Sequence, residues 1–328
     1  MSKQQSLIIR GIAILLMILY HLYDIRDDYT SLLYIGKQPL IYYLHNVANP
    51  INFFIVLSGY GLSVKAYSTS FKEKLLKILK LYVVFWIVMI IFPIIIGPYV
   101  NPGKYPGTGW DTFFNAIGYK STYNAHNWFL LPYVIIFIMS DVINKFVEKV
   151  GNIISVLISV VIYFLSSYII SRYGIKNLGL LLYHCCCVAI FFFPFVVGIV
   201  MERLNGDGKL NMKKLVSPLA ISILVLLTII RSLFQTHALH PFFAIVVVYL
   251  LLNIHLGGSI EKILTELGKY SMPMWFIHGY LMVYIFKDDF CLLNYPFLIY
   301  IAVVLVSYIL SIPIMKLGGI VSMCLTRS

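Results

Sequence analysis

The sequence predicts an all-α polytopic membrane helix bundle of about ten transmembrane helices. Both termini are expected in the cytoplasm, with one domain covering residues 1–328. Three observations lead there. The chain is 60% hydrophobic and 12% charged, with a mean hydropathy of +0.89, whereas an ordinary globular chain carries about 25% charged residues. Its apolar residues gather into repeated runs of about 15 to 20, long enough or nearly so to cross a bilayer as helices. The 25 Lys and Arg lie largely between those runs and divide 17 to 8 in favour of the connections on the N-terminal side, the asymmetry expected of cytoplasmic loops. The short alternating segments of a β-barrel are missing.

The runs fall at 7–23, 46–64, 81–96, 127–143, 153–170, 180–200, 215–230, 241–254, 271–286 and 295–315. The sixth contains Pro194, and the eighth is short for a full crossing. Between the third and fourth, GPYVNPGKYPGTGW (97–110) is rich in Gly, Pro and aromatics and reads as a structured loop. The connection 24–38 is polar with tyrosines. Aromatics at this outer surface suit interfacial anchoring, and stacking on sugar rings is the sharper alternative. The net charge of +12 reflects topology and anionic lipid, since no nucleic-acid module is present. Cys185, Cys186 and Cys187 are consecutive in an apolar run, while Cys291 and Cys324 are isolated, so all five read as small hydrophobes. Without CxxC or paired-His spacing, no metal site is expected. Arg10 interrupts the first run and no small-residue cleavage site follows it, so that run is expected in the mature protein. No internal repeat is seen, and no appended soluble domain is expected. The bundle itself must carry the function.

The first run, IIRGIAILLMILYHLY, holds Arg10 and His21. An ionisable group inside a span costs roughly 2.5 to 3.5 kcal/mol for Arg near a helix centre. Eleven helical steps make three turns with about 20° left over, so the two groups share one face, about 16 Å apart along the axis. Arg10 near the cytoplasmic surface can snorkel toward phosphate or water. His21 lies in the outer half, where a neutral imidazole can accept a proton from an alcohol. A polar helix–helix contact is the plainer role for His21.

The second run, NPINFFIVLSGYGLSVKAY, carries a small and polar stripe of Asn52, Ser58, Gly59, Tyr60, Gly61 and Ser63. Close helix packing explains it, and lining of a cavity is the alternative. Next, STSFKEKLLKILKLY places Lys72, Lys74, Lys77 and Lys80 on the cytoplasmic side, either as an anchor or as a dock for donor phosphates. His126 and Trp128 in AHNWFLLPY mark an outer membrane edge. In SMPMWFIHGYLM, Ser271 and Pro273 lie near the inner end and His278 about mid-span. No charge in its own helix is near His278, so a partner from another helix or a water-filled cavity is expected.

Taken in order, these pieces resemble the acyltransferase-3 family of integral membrane O-acyltransferases. Arg10, ten residues and His21 resemble its first-span signature. FFIVLSGYGL resembles its FF-x-x-SG-aromatic segment, NWFLLPY its Trp-Phe element and SMPMWFIHGY its late Ser-aromatic-His segment. The resemblance implies about ten membrane helices and transfer of an acyl group, commonly acetyl, from cytoplasmic acyl-CoA. The acceptor it implies is a hydroxyl of a cell-surface glycan or lipid-linked saccharide. It implies His21 as the essential base paired with Arg10, acetyl-CoA as co-substrate with no permanently bound cofactor, and a bacterial cytoplasmic membrane. Family members usually place Arg, three residues, Arg at the start of the third span. Here Glu73 and Lys77 hold those positions, with Lys74 and Lys80 alongside, and Lys lacks the bidentate fork of Arg. The expected site is therefore Arg10 and His21 for chemistry, and Arg10, Lys74, Lys77 and Lys80 for the donor. Asn52, Ser58, Tyr60, His126, Trp128 and His278 are expected to line the cavity. A glycolipid or small-anion transporter is the competing class, although related halves are missing. A non-catalytic membrane scaffold is the third.

Overall fold

A computed structural model describes every residue except 29–31, 49, 65–68, 207–216, 235, 255 and 328, and the side chains of 27, 28, 237, 326 and 327. Lys65, Lys209, Lys213 and Lys214, counted above as cytoplasmic, lie outside the described residues. Of the described residues, 84% are helical. Its strands among the described residues form one hairpin, with Tyr34 opposite Pro39 and Ile35 opposite Gln38.

Five helical stretches among the described residues are long and apolar enough to cross a bilayer. They are Lys3–Arg26, Leu40–Val64, Phe71–Val100, Asn152–Gly206 and Pro296–Leu325. A sixth results if Ala125–Ile138 and Ser140–Val150, bent by 58°, form one broken span. Ser217–Ser232 and His240–Leu251 are apolar but shorter.

The difference from ten runs has local causes. Asn152–Gly206 is 55 residues long, about 80 Å if straight, against a hydrocarbon core of about 30 Å. It is interrupted at Gly174 (φ 63, ψ 168) and Gly179 (φ 71, ψ 158), conformations outside the helical region that glycine tolerates. The runs 153–170 and 180–200 are thus separate helices, divided at these glycines. The helix Phe71–Met89 begins well before the third run, because an amphipathic lysine segment is itself a good helix former. The 97–110 segment is only partly loop. Gly97–Val100 is helical, with Pro98 inside its first turn. Gly109–Ala116 is a helix started by a capping box in which Thr108 and Asp111 satisfy each other's backbone N–H groups,.

Two compact units make up the chain. The first comprises Met1–Ile9, Asn49–Ser70 and Phe129–Lys262. Within it a Cβ at Gly59 would run into the Phe195 carbonyl, and one at Gly198 into that of Val56. Absent side chains let Ile51–Val64 and Asn152–Gly206 pack backbone to backbone. The second comprises Arg10–Ala48, Phe71–Trp128 and Ile263–Ser328. Here Gly11 abuts the Leu264 backbone and Gly318 the side chain of Val84. Two π-helical segments, Ile90–Ile96 and Tyr280–Tyr284, meet where Phe92 stacks on Tyr280 at 5.1 Å. Ile153, Leu157, Leu181, Val225, Phe297 and Ile309 are exposed, apolar surface that suits a lipid environment.

Candidate functional site

The site lies within the second unit and begins at the last residue of the Lys3–His21 helix. One turn later, in the 3₁₀ segment Leu22–Asp28, Asp24 turns back so that its Oδ2 lies 2.5 Å from His21 Nδ1. A carboxylate only accepts, so Nδ1 donates the proton and Nε2 keeps its lone pair. Among the described residues Nε2 has no hydrogen-bond partner. The side chain retains 12% exposure.

His126 is brought to this pair by the 3₁₀ turn Ala125–Asn127, capped by Asn124, whose Oδ1 accepts the His126 N–H at 3.0 Å. Three further bonds pin the turn to the segment 275–284. Trp275 Nε1 donates to the His126 carbonyl at 3.2 Å, Asn124 Nδ2 to the Phe276 carbonyl at 3.3 Å, and the Ala125 N–H to Tyr284 Oη at 3.1 Å. Gly279 permits this approach, since a Cβ there would stand 2.6 Å from Asn124 Oδ1 and 2.7 Å from His126 Nδ1. The His126 ring consequently stacks on that of His21, 3.5 Å between centroids and 23° between planes. Its Nε2 lies 3.5 Å from the same Asp24 oxygen.

His278 completes the group, its centroid 5.1 Å from that of His126 and 5.2 Å from that of His21. It is fully buried. The partner expected from another helix is found first in its own, where Nδ1 donates to the Trp275 carbonyl at 2.6 Å. His126 Nδ1 and His278 Nε2 are both buried without a hydrogen-bond partner. A fourth ring flanks them. His45 donates from Nδ1 to the Tyr20 carbonyl at 3.0 Å and stacks on Tyr20, which meets His21 edge-on.

The other expected residues are distributed differently. Arg10, Lys77 and Lys80 are exposed, whereas Lys74 is only 2% exposed and so is not presented to a soluble donor. Trp128 is half-buried just beyond the His126 turn. Asn52, Ser58 and Tyr60 belong to the first unit. There Ser58 donates to the Phe54 carbonyl and pairs with Tyr133 Oη at 3.2 Å. Tyr60 Oη accepts from the N-terminal ammonium at 2.7 Å and from Asn205 at 3.2 Å, while Asn52 is buried. These contacts are the helix packing that the small and polar stripe suggests.

Beside the histidines, Lys104 Nζ lies 4.3 Å from the centre of the Tyr284 ring and 5.1 Å from that of Tyr105, a cation over two aromatic faces. Burial lowers its pKa from the ordinary value. Farther along the same connection Asp111 accepts from Thr108 Oγ1 at 2.6 Å and from Lys120 at 3.0 Å. Those bonds, Thr108 first, lower its pKa to about 2.

Sequence reasoning missed Asp24, His45, Asn124 and Gly279. Asp24 carried a local signal, because an acid three residues after a helical His is within pairing reach. Asn124 was legible as an N-cap before a short turn. Nothing local marked His45 or Gly279, whose roles arise from contacts distant in sequence.

The arrangement is a carboxylate-held imidazole with a free lone pair, beside two further imidazoles. It can accept a proton from a hydroxyl and return it. A family model described as "Acyltransferase domain" matches residues 8–316. No curated protein and no solved structure matches the chain.

Proposed function

Since this chain belongs to the acyltransferase-3 family and is an acyl-transferring membrane protein, we propose that it moves an acetyl group from cytoplasmic acetyl-CoA to a hydroxyl of a cell-surface glycan or its lipid-linked precursor. The reading includes ten crossings with both termini in the cytoplasm of a bacterium, which the excess of Lys and Arg in the corresponding connections supports.

The observation that carries it is the His21–Asp24 pair at 2.5 Å with a partnerless Nε2. In the proposed reaction the acceptor oxygen attacks the thioester carbonyl carbon while His21 Nε2 takes the hydroxyl proton. The tetrahedral intermediate then expels the CoA thiolate, which recovers that proton from the imidazolium as the C–S bond breaks. Ester and free CoA result, with no net change in the enzyme. Asp24 is a positioning residue that sets the tautomer and balances the imidazolium charge. His126 and His278 keep the ring in place and limit water. A thioester is already activated, so base assistance and positioning suffice. Arg10, Lys77 and Lys80 are the exposed cations available to the donor phosphates. The proposal leaves Lys74, buried as it is, to packing.

The test is His21→Ala, assayed by mass spectrometry of surface glycans at matched protein abundance. Loss of general-base help predicts a fall of about 10²- to 10⁴-fold in transfer rate. Wild-type acetyl ester levels would overturn the assignment.

A further inference from the structure

We propose that His21, His126 and His278 form a site for one divalent transition-metal ion of the zinc class, and that an ion held there arrests acyl transfer by taking the His21 lone pair. The arrest rests on the reading of His21 as the base; the binding site does not.

Each of the three rings offers one nitrogen, and these nitrogens lie within 4.8 Å of one another. In two of the rings one nitrogen already donates to a protein acceptor, and in the third one nitrogen faces a carboxylate oxygen. His21 Nδ1 faces Asp24 at 2.5 Å, His126 Nε2 faces the same oxygen at 3.5 Å, and His278 Nδ1 faces the Trp275 carbonyl at 2.6 Å. The lone pairs therefore sit on His21 Nε2, His126 Nδ1 and His278 Nε2. Two of these atoms are buried and unpartnered, a state that ordinarily costs about 1–3 kcal/mol per group. A metal ion removes that cost on both at once.

The chemistry selects the ion. Three neutral imidazoles suit zinc, cobalt or nickel and not magnesium or calcium, which prefer oxygen. The Asp24 carboxylate and the Trp275 carbonyl supply the outer hydrogen bonds that metal-bound histidines characteristically make. Three protein ligands leave a fourth position for water, and His21 is the ring that keeps 12% exposure. Zinc–nitrogen bonds of about 2.0–2.1 Å in a tetrahedral set put the nitrogens about 3.4 Å apart. Closing from 4.8 Å thus requires ring movements of about 1 Å and an opening of the near-parallel His21–His126 and His126–His278 stacks.

The experiment uses the full chain, purified through a tag without histidines, reconstituted in lipid nanodiscs and stripped with chelator. Dialysis against cobalt chloride followed by gel filtration is expected to leave one Co²⁺ per chain by mass spectrometry, with a visible ligand-field band. The double variant His126→Gln/His278→Gln should lose the band and fall to background. Asp24→Asn, which keeps all three rings, should weaken affinity about 10- to 100-fold; it reports on the site even if the double variant fails to fold. No stoichiometric cobalt on the wild type, or an Asp24→Asn affinity equal to wild type, would overturn the site, as would equal cobalt on a folded double variant. Zinc at full occupancy should abolish acetyl transfer, with recovery on adding EDTA; undiminished or increased transfer would overturn the arrest. A protein that transfers acetyl groups but takes no metal sinks the site alone. One that takes metal while His21→Ala stays active sinks the base and the arrest.

Discussion

Replacing Asp24 with Asn keeps the side chain's shape and removes its charge. In the structure one carboxylate oxygen faces two imidazoles, His21 at 2.5 Å and His126 at 3.5 Å. An amide oxygen can still face both rings, since both contacts use one oxygen, but it accepts without a charge and so makes neutral hydrogen bonds. When His21 holds the acceptor's proton, the carboxylate stands about 4 Å from the new positive charge. At an effective dielectric near 20 that attraction is about 4 kcal/mol. The lower bound is the difference between a charge-assisted and a neutral hydrogen bond, about 1–1.5 kcal/mol. Asp24 keeps 37% exposure, and solvent screening draws the expected value toward the lower bound. At 1.36 kcal/mol per tenfold, the expected loss in kcat is about 10- to 100-fold. The assay is transfer of radiolabelled acetyl from acetyl-CoA to endogenous glycan in membrane vesicles, normalised to protein abundance. The KM for acetyl-CoA should not change, because Asp24 acts through His21 and not on the donor. A kcat indistinguishable from wild type would refute the argument that Asp24 holds the base.

Gly279→Ala puts a methyl group 2.6 Å from Asn124 Oδ1 and 2.7 Å from His126 Nδ1, well inside van der Waals contact. Overpacking of this kind costs about 1–3 kcal/mol, so a lowered thermal midpoint in detergent is expected together with reduced transfer, and an unchanged midpoint would contradict the packing described. Arg10→Ala should raise the KM for acyl-CoA while leaving kcat at saturation nearly intact, as read from initial rates against donor concentration. The Asp111 carboxylate, its pKa lowered to about 2, contributes stability that is complete above its ordinary 3.8 and is lost as pH falls toward 2. Asp111→Asn should therefore be less stable than wild type near neutral pH, with the gap narrowing below about pH 4 in thermal melts; a gap independent of pH would count against the Thr108 and Lys120 bonds as its cause.

Much of the architecture was legible because the responsible forces are local. Hydropathy marks helices wherever they begin and end. The 3.6-residue period alone puts Arg10 and His21 on one face, since both lie on the uninterrupted Lys3–His21 helix. The run count was less secure. Gly174 and Gly179 divide Asn152–Gly206 into separate helices with little chain between them, and a bend separates Ala125–Ile138 from Ser140–Val150. Composition records neither event. Lys74 shows the same boundary, because four lysines at helical spacing look alike in sequence and only the surrounding packing buries one of them.

The centre of the site belongs to that second category. Residue types and order were enough to nominate His21, His126 and His278 separately, and to suggest acyl transfer. They contained no distance between the three. Convergence depends on Trp275, Asn124 and Tyr284 tying the His126 turn to a distant helix, and on Gly279 having no side chain to prevent it. Those contacts form between segments remote along the chain, where no periodicity operates, so their geometry exists only once the backbone has packed.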